Sequence, residues 1–209
     1  MGLLRVLGLG KDPHIEWMIE AFGAKPGEIV VDRLYEDRPK LYRWEGEAGG
    51  VPLTFYADSS NKYRGGGTVY LGKAGPQFTG ELGEYRCAFY RPPTTPAVSV
   101  DDARWMKAAR EAQGASSWSE LLPEEVFQQG LGMGRFAVEL DCPLDPRPVF
   151  PLLPVLRAPL EAMSDAVDGL CLHREGVSIG FQVTALTRET LVSDVHKGLE
   201  ILRLSASMG

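Results

Sequence analysis

The sequence predicts an α+β fold: an antiparallel β-meander covered by helices, with a C-terminal strand–hairpin–helix unit. Three observations carry that reading. Between Lys40 and Arg91 the segments LYRWEGEAGG, VPLTFYADSS, NKYRGGG, TVYLGKAG and EYRCAFYR are rich in aromatic and β-branched residues, and all seven tyrosines fall between Tyr35 and Tyr90. Such residues suit a half-buried pleated surface, and the glycine-rich stretches between them suit chain reversals. Nearer the other end, Val177, Ile179, Phe181 and Val183 alternate with Ser178, Gly180 and Gln182, the period of a strand with one face turned to a core. Leu191, Val195, Leu199 and Leu202 then recur at helical spacing.

In chain order, Leu3 to Leu9 reads as a first strand. Asp12-Pro13 opens a helix with Asp at the N-cap and Pro at the first helical position; Ile15, Met18, Ile19 and Phe22 form its apolar side, and Gly23 stops it. Glu28 to Asp32 reads as a short strand before the meander, in which Val51, Leu53 and Phe55 share one face. Pro52 lacks a ladder donor, which favours an edge position or a strand start. RPPTTP, Arg91 to Pro96, ends this pattern.

Beyond it, Ser99 to Asp102 resembles a capping box for a helix reaching about Gln113, and a second short helix starts near Pro123. RFAVEL, Arg135 to Leu140, reads as a strand. Six prolines between Asp141 and Met163 keep the next segment extended, until Leu156, Leu160 and Met163 mark a helix starting from Pro151 or Pro154 and bent at Pro159. LCLHR and VSIGFQV flank Glu175-Gly176, a hairpin signal, and Thr187 caps the last helix. The chain is expected to form a single α+β domain over 1–209, with a sheet-rich part, 1–91, and a helix-richer part, 98–209, joined by the proline-rich segment 91–97.

Composition excludes several classes. The formal net charge of −6, from 22 basic and 28 acidic residues, argues against a general nucleic-acid binder, which needs a basic surface to displace counterions. Cys87, Cys142 and Cys171 form no CxxC pair and read as reduced thiols of a soluble, acidic, cytoplasmic protein. No apolar run approaches the roughly 20 residues that span a bilayer, and the N-terminus lacks the pattern of a signal peptide.

The motifs that could carry chemistry are partial. Gly8, Gly10 and Lys11 lie between a strand and a helix, where backbone N–H groups and a helix N-terminus can hold an anion. The longer glycine-bounded loop and the Ser/Thr of a P-loop are missing, as is the third glycine of a dinucleotide fingerprint, so no cofactor is expected. Ser59 and Lys62 have S-x-x-K spacing but sit in a polar turn. The three histidines are scattered: His14/Glu16 and His173/Glu175 are H-x-E pairs without the P-C-x-x-C of zinc deaminases, and no metal is expected. Asp141 and Asp145 are too few carboxylates for a cation site. Glu45 and Glu47 share a strand face with Arg43, about 6–7 Å apart by strand rise, as on a solvated, ion-paired surface. Cys171 and His173 lie two residues apart on one side of a strand, a spacing that allows thiolate–imidazole pairing.

Lys62, Tyr63, Arg64, Gly65, Gly66 and Gly67 combine charge, an aromatic ring and a mobile backbone at a hairpin tip, which suits protein recognition. The first expectation is therefore a non-catalytic protein-interaction protein, an accessory, adaptor or immunity-type subunit that binds a protein partner through the meander and this tip. Neither general nucleic-acid nor membrane binding is expected, and homodimerisation through a strand edge is allowed. The alternative is a small cytosolic hydrolase or transferase using Cys171 and His173 or the anion loop. A third reading is a small-ligand binder with an aromatic pocket between sheet and helices.

Overall fold

The structure is a computed structural model that describes residues 13–26, 41–58, 66–72, 85–91, 132–133, 135–139 and 147–206. The expected strands at Leu3–Leu9 and Glu28–Asp32, the expected helices after Ser99 and Pro123, the segment 92–97 and the Asp141/Asp145 pair lie outside those residues.

Helix α1, Pro13–Phe22, buries Ile15, Met18 and Phe22. It ends where Gly23 takes a φ of 63° and its N–H donates to the Ile19 carbonyl at 3.0 Å. Strands β1 (Lys25–Pro26), β2 (Leu41–Ala48), β3 (Val51–Asp58) and β4 (Gly66–Gly72) follow as an antiparallel meander. Ala48 pairs with Val51, so Gly49-Gly50 is a two-residue turn; φ values of 56° and 80° are those a tight hairpin demands of glycine. Next come β5 (Tyr85–Tyr90), β6 (Gly132–Met133) and β7 (Phe136–Glu139), the last lying within the expected RFAVEL strand.

A 3₁₀ turn, Arg147–Leu152, leads into α2, Leu153–Glu161, which has Pro159 buried inside it. Strands β8 (Val167–His173) and β9 (Gly176–Gln182) form the expected hairpin. Its register pairs Leu172 with Val177, so the reversal is made by Arg174-Glu175 instead of Glu175-Gly176. Gly176 is needed elsewhere, because it faces Gly72 across the β4–β9 pair. There Gly72 has a φ of 113°, and a side chain on it would begin 2.3 Å from the Glu175 carbonyl oxygen.

The final helix, α3, spans Arg188–Ala206. Its cap is reciprocal: Thr187 Oγ1 accepts from the Thr190 N–H at 3.2 Å, and Thr190 Oγ1 accepts from the Thr187 N–H at 2.9 Å. Leu191, Val195 and Leu199 bury against Val177, Ile179 and Phe181, as the two periodicities require; Ile201 is buried too, whereas Leu202, expected in the stripe, is only partly buried. At Gly198 the helix comes so close to the sheet that an added Cβ would stand 2.5 Å from Ile179 Cδ1 and 2.8 Å from Leu71 Cδ1.

The fold is α+β. Among the described residues the sheet has nine strands in the order β1-β2-β3-β4-β9-β8-β5-β7-β6, every neighbouring pair antiparallel. The C-terminal hairpin lies within the sheet, between β4 and β5, and strands from both sides of segment 91–97 pair directly. Side-chain matching accounts for this: Val69 and Leu71 of β4 face Ile179 and Val177 of β9, and the four side chains enter the core beneath α3. The helices line one face of this sheet around a common apolar core. None of the described helices is long and apolar enough to cross a membrane.

Candidate functional site

Alternation along the strands sends a second set of side chains to the face opposite the helices. Across β4, β9, β8 and β5 the directly paired residues are Tyr70, Ser178, Cys171 and Ala88. Tyr56, Tyr85 and His173 complete the group. Tyr56 and Tyr70 meet edge to face with ring centroids 5.5 Å apart, and His173 lies 6.0 Å from Tyr70 and 6.3 Å from Tyr85. Tyr56, Tyr70, Tyr85 and Ser178 are each buried.

Ser178 is the centre of this group. Its hydroxyl lies 2.9 Å from His173 Nε2, and it hydrogen-bonds Cys171, the residue directly across the β8–β9 pair. Cys171 and His173 do share a side of β8, as their spacing predicts, and both reach the same hydroxyl. Burial pushes the Cys171 thiol up, and the bond to Ser178 opposes this only partly. A nucleophilic or metal-binding cysteine has the opposite trend, a thiol lowered by positive surroundings. Burial also raises the phenol of Tyr70, with Cys171 and Tyr56 adding to it. Tyr56 is raised for the same first reason, while Arg43 pulls it down and Glu45 pushes it up. Chemically the group offers a serine–histidine contact in an aromatic setting, with a neutral thiol beside it. Sequence reading saw Ser178 only as a residue on the face opposite the core. Its place follows from the hairpin register: with the turn at Arg174-Glu175, Ser178 pairs with Cys171, where a turn at Glu175-Gly176 would pair it with His173.

Gly66 and Gly67, expected at a hairpin tip, are the first two residues of β4, paired with Gln182 and Phe181 of β9. Lys62, Tyr63, Arg64 and Gly65 lie outside the described residues, as do Gly8, Gly10, Lys11 and Ser59. On β2, Arg43 and Glu45 form an ion pair at 2.5 Å along the strand, in keeping with a charged sheet face. Among the described residues no group of three or more His, Cys, Asp or Glu is placed to hold a metal ion.

Two further features escaped the sequence reading. Asp194 of α3 is fully buried. Its carboxylate accepts from the Ser164 N–H at 2.9 Å and from the Ser164 hydroxyl at 2.5 Å, and Lys197 reaches both Asp194 and the Ala162 carbonyl. This ties the turn between α2 and β8 to α3. On the other side of that turn Asp165 receives Arg91, at 3.1 Å, and Arg135. Arg91 is held further by the Ser164 carbonyl and by the Phe136 ring, 5.7 Å away. The signal for Asp194 was a carboxylate set among Leu191, Val195 and Gly198, inside the apolar stripe of α3.

The second feature is the outer side of α2. Pro154, Val155 and Ala158 are exposed on it, flanked by exposed Pro151 of the preceding 3₁₀ turn and Ala162 just past its end, and Val155 is 49% exposed. Beside them Arg157 Nε and Glu161 Oε1 pair at 2.8 Å. The result is an uncharged outward ridge on a helix whose inward side buries Leu153, Leu156 and Leu160. Its signal lay in the residues between those apolar positions.

Comparison with protein-family models, curated proteins and solved structures finds no match for the chain.

Proposed function

We propose that this chain is a non-catalytic protein-interaction protein, an accessory, adaptor or immunity-type subunit that binds a protein partner in the cytoplasm. The observation that carries the reading is the outward ridge of α2, where Val155 stands exposed among Pro151, Pro154, Ala158 and Ala162 on a firmly packed helix. An apolar strip on a rigid element is the kind of surface a protein partner can desolvate cheaply. The second contact in this reading is the stretch Lys62–Gly67, whose last two residues begin β4, a strand bonded on both sides, by β3 and β9. Cys171, which enters no disulfide, is in keeping with the cytoplasmic placement.

The test uses native mass spectrometry of the protein purified gently from its own host, followed by affinity measurement with the companion found. Val155→Asp, or alanine at Tyr63 and Arg64, weakens that affinity by about tenfold or more if these side chains are hot spots. Unchanged melting temperatures show that the variants remain folded. Unchanged affinity in both variants overturns the assignment of these surfaces, and a host-purified chain with no companion counts against the function itself.

A second reading, a hydrolase or transferase, is favoured by the 2.9 Å contact between Ser178 and His173 beside Cys171. Covalent labelling by a serine- or cysteine-directed electrophile, lost in His173→Ala, supports it. No label in the folded protein counts against it.

A further inference from the structure

We draw no further inference here: the strongest candidate, the Arg91–Asp165–Arg135 junction at the turn between α2 and β8, sets two guanidiniums against the carboxylates of Asp165 and Asp168, so its charges are matched within the chain and nothing there points to an outside ligand.

Discussion

Asp194 and Ser164 are joined by two hydrogen bonds, one from the backbone N–H and one from the hydroxyl of the serine, at a point where the carboxylate is wholly withdrawn from solvent. A buried carboxylate is tolerable only when its lone pairs are met, and here Ser164 and Lys197 meet them. The pair therefore fixes where α2 ends and β8 begins relative to α3. Removing the carboxylate leaves the Ser164 N–H and hydroxyl without this acceptor and Lys197 with the Ala162 carbonyl in place of an anion. Asp194→Ala is expected to cost about 3 kcal/mol of folding stability. Urea unfolding checks this, and a loss below about 1 kcal/mol would show that the turn is held by other contacts.

Two glycines separate strain from crowding. At Gly72 both the φ of 113° and the Glu175 carbonyl oppose a side chain, and neither can move without displacing backbone. At Gly198 the obstacles are the Cδ1 atoms of Ile179 and Leu71, the far ends of flexible side chains, and alanine also improves helix propensity. Gly72→Ala is expected to destabilise by roughly 2 kcal/mol or more, and Gly198→Ala by less. Equal effects, or the reverse order, in paired thermal melts would contradict this account.

The buried tyrosines make stability depend on alkaline pH. Tyr70, and Tyr56 to a smaller extent, have phenols raised by burial above the ordinary value of 10.0. Above that pH the unfolded chain loses phenolic protons that the folded chain keeps, so deprotonation favours unfolding. The stability these groups contribute is complete below pH 10.0 and declines as pH rises from there towards their raised values. Cys171 acts in the same direction from its own ordinary value of 9.0. Unfolding free energy followed from pH 8 to 11 should fall, and Tyr70→Phe should flatten the upper part of the decline. A decline of the same slope in the variant would remove Tyr70 as its cause.

The thiol of Cys171 should react slowly. A buried, raised thiol supplies little thiolate at neutral pH, so alkylation by iodoacetamide is expected to be at least about tenfold slower than for an exposed cysteine. Ser178→Ala removes the hydrogen bond that lowers this thiol and should slow the reaction further, provided the fold is unchanged. Mass spectrometry of the alkylated peptide reads both rates. Rapid modification at neutral pH would instead favour the catalytic reading of the Cys171–Ser178–His173 group.

How far the fold was legible depended on the range of the interactions that form each part. Helix α1 begins at Pro13 and turns off at Gly23, the β2–β3 reversal is Gly49-Gly50, and Thr187 caps α3. Each is set by neighbours a few residues apart, and each could be read directly. The hairpin turn was misplaced by one residue because Gly176 looked like a turn glycine, whereas its role is to lie against Gly72 on a distant strand. The candidate site was legible only in part for the same reason. Cys171 and His173 are near in sequence, but the serine that joins them comes from the opposing strand, and Tyr56, Tyr70 and Tyr85 come from three others.

By itself the sequence determined the class of fold, the two faces of β9 and the apolar stripe of α3, because periodicity, capping and turn chemistry are local properties of the chain. Only the tertiary structure decided that β8 and β9 enter the sheet between β4 and β5, that Asp194 is buried against Ser164, and that Ser178 stands between a thiol and an imidazole. Strand order is a choice among many sterically similar pairings. It is settled by which side chains fill a common core, such as Val69 and Leu71 against Ile179 and Val177 beneath α3, and that information resides in residues far apart along the chain.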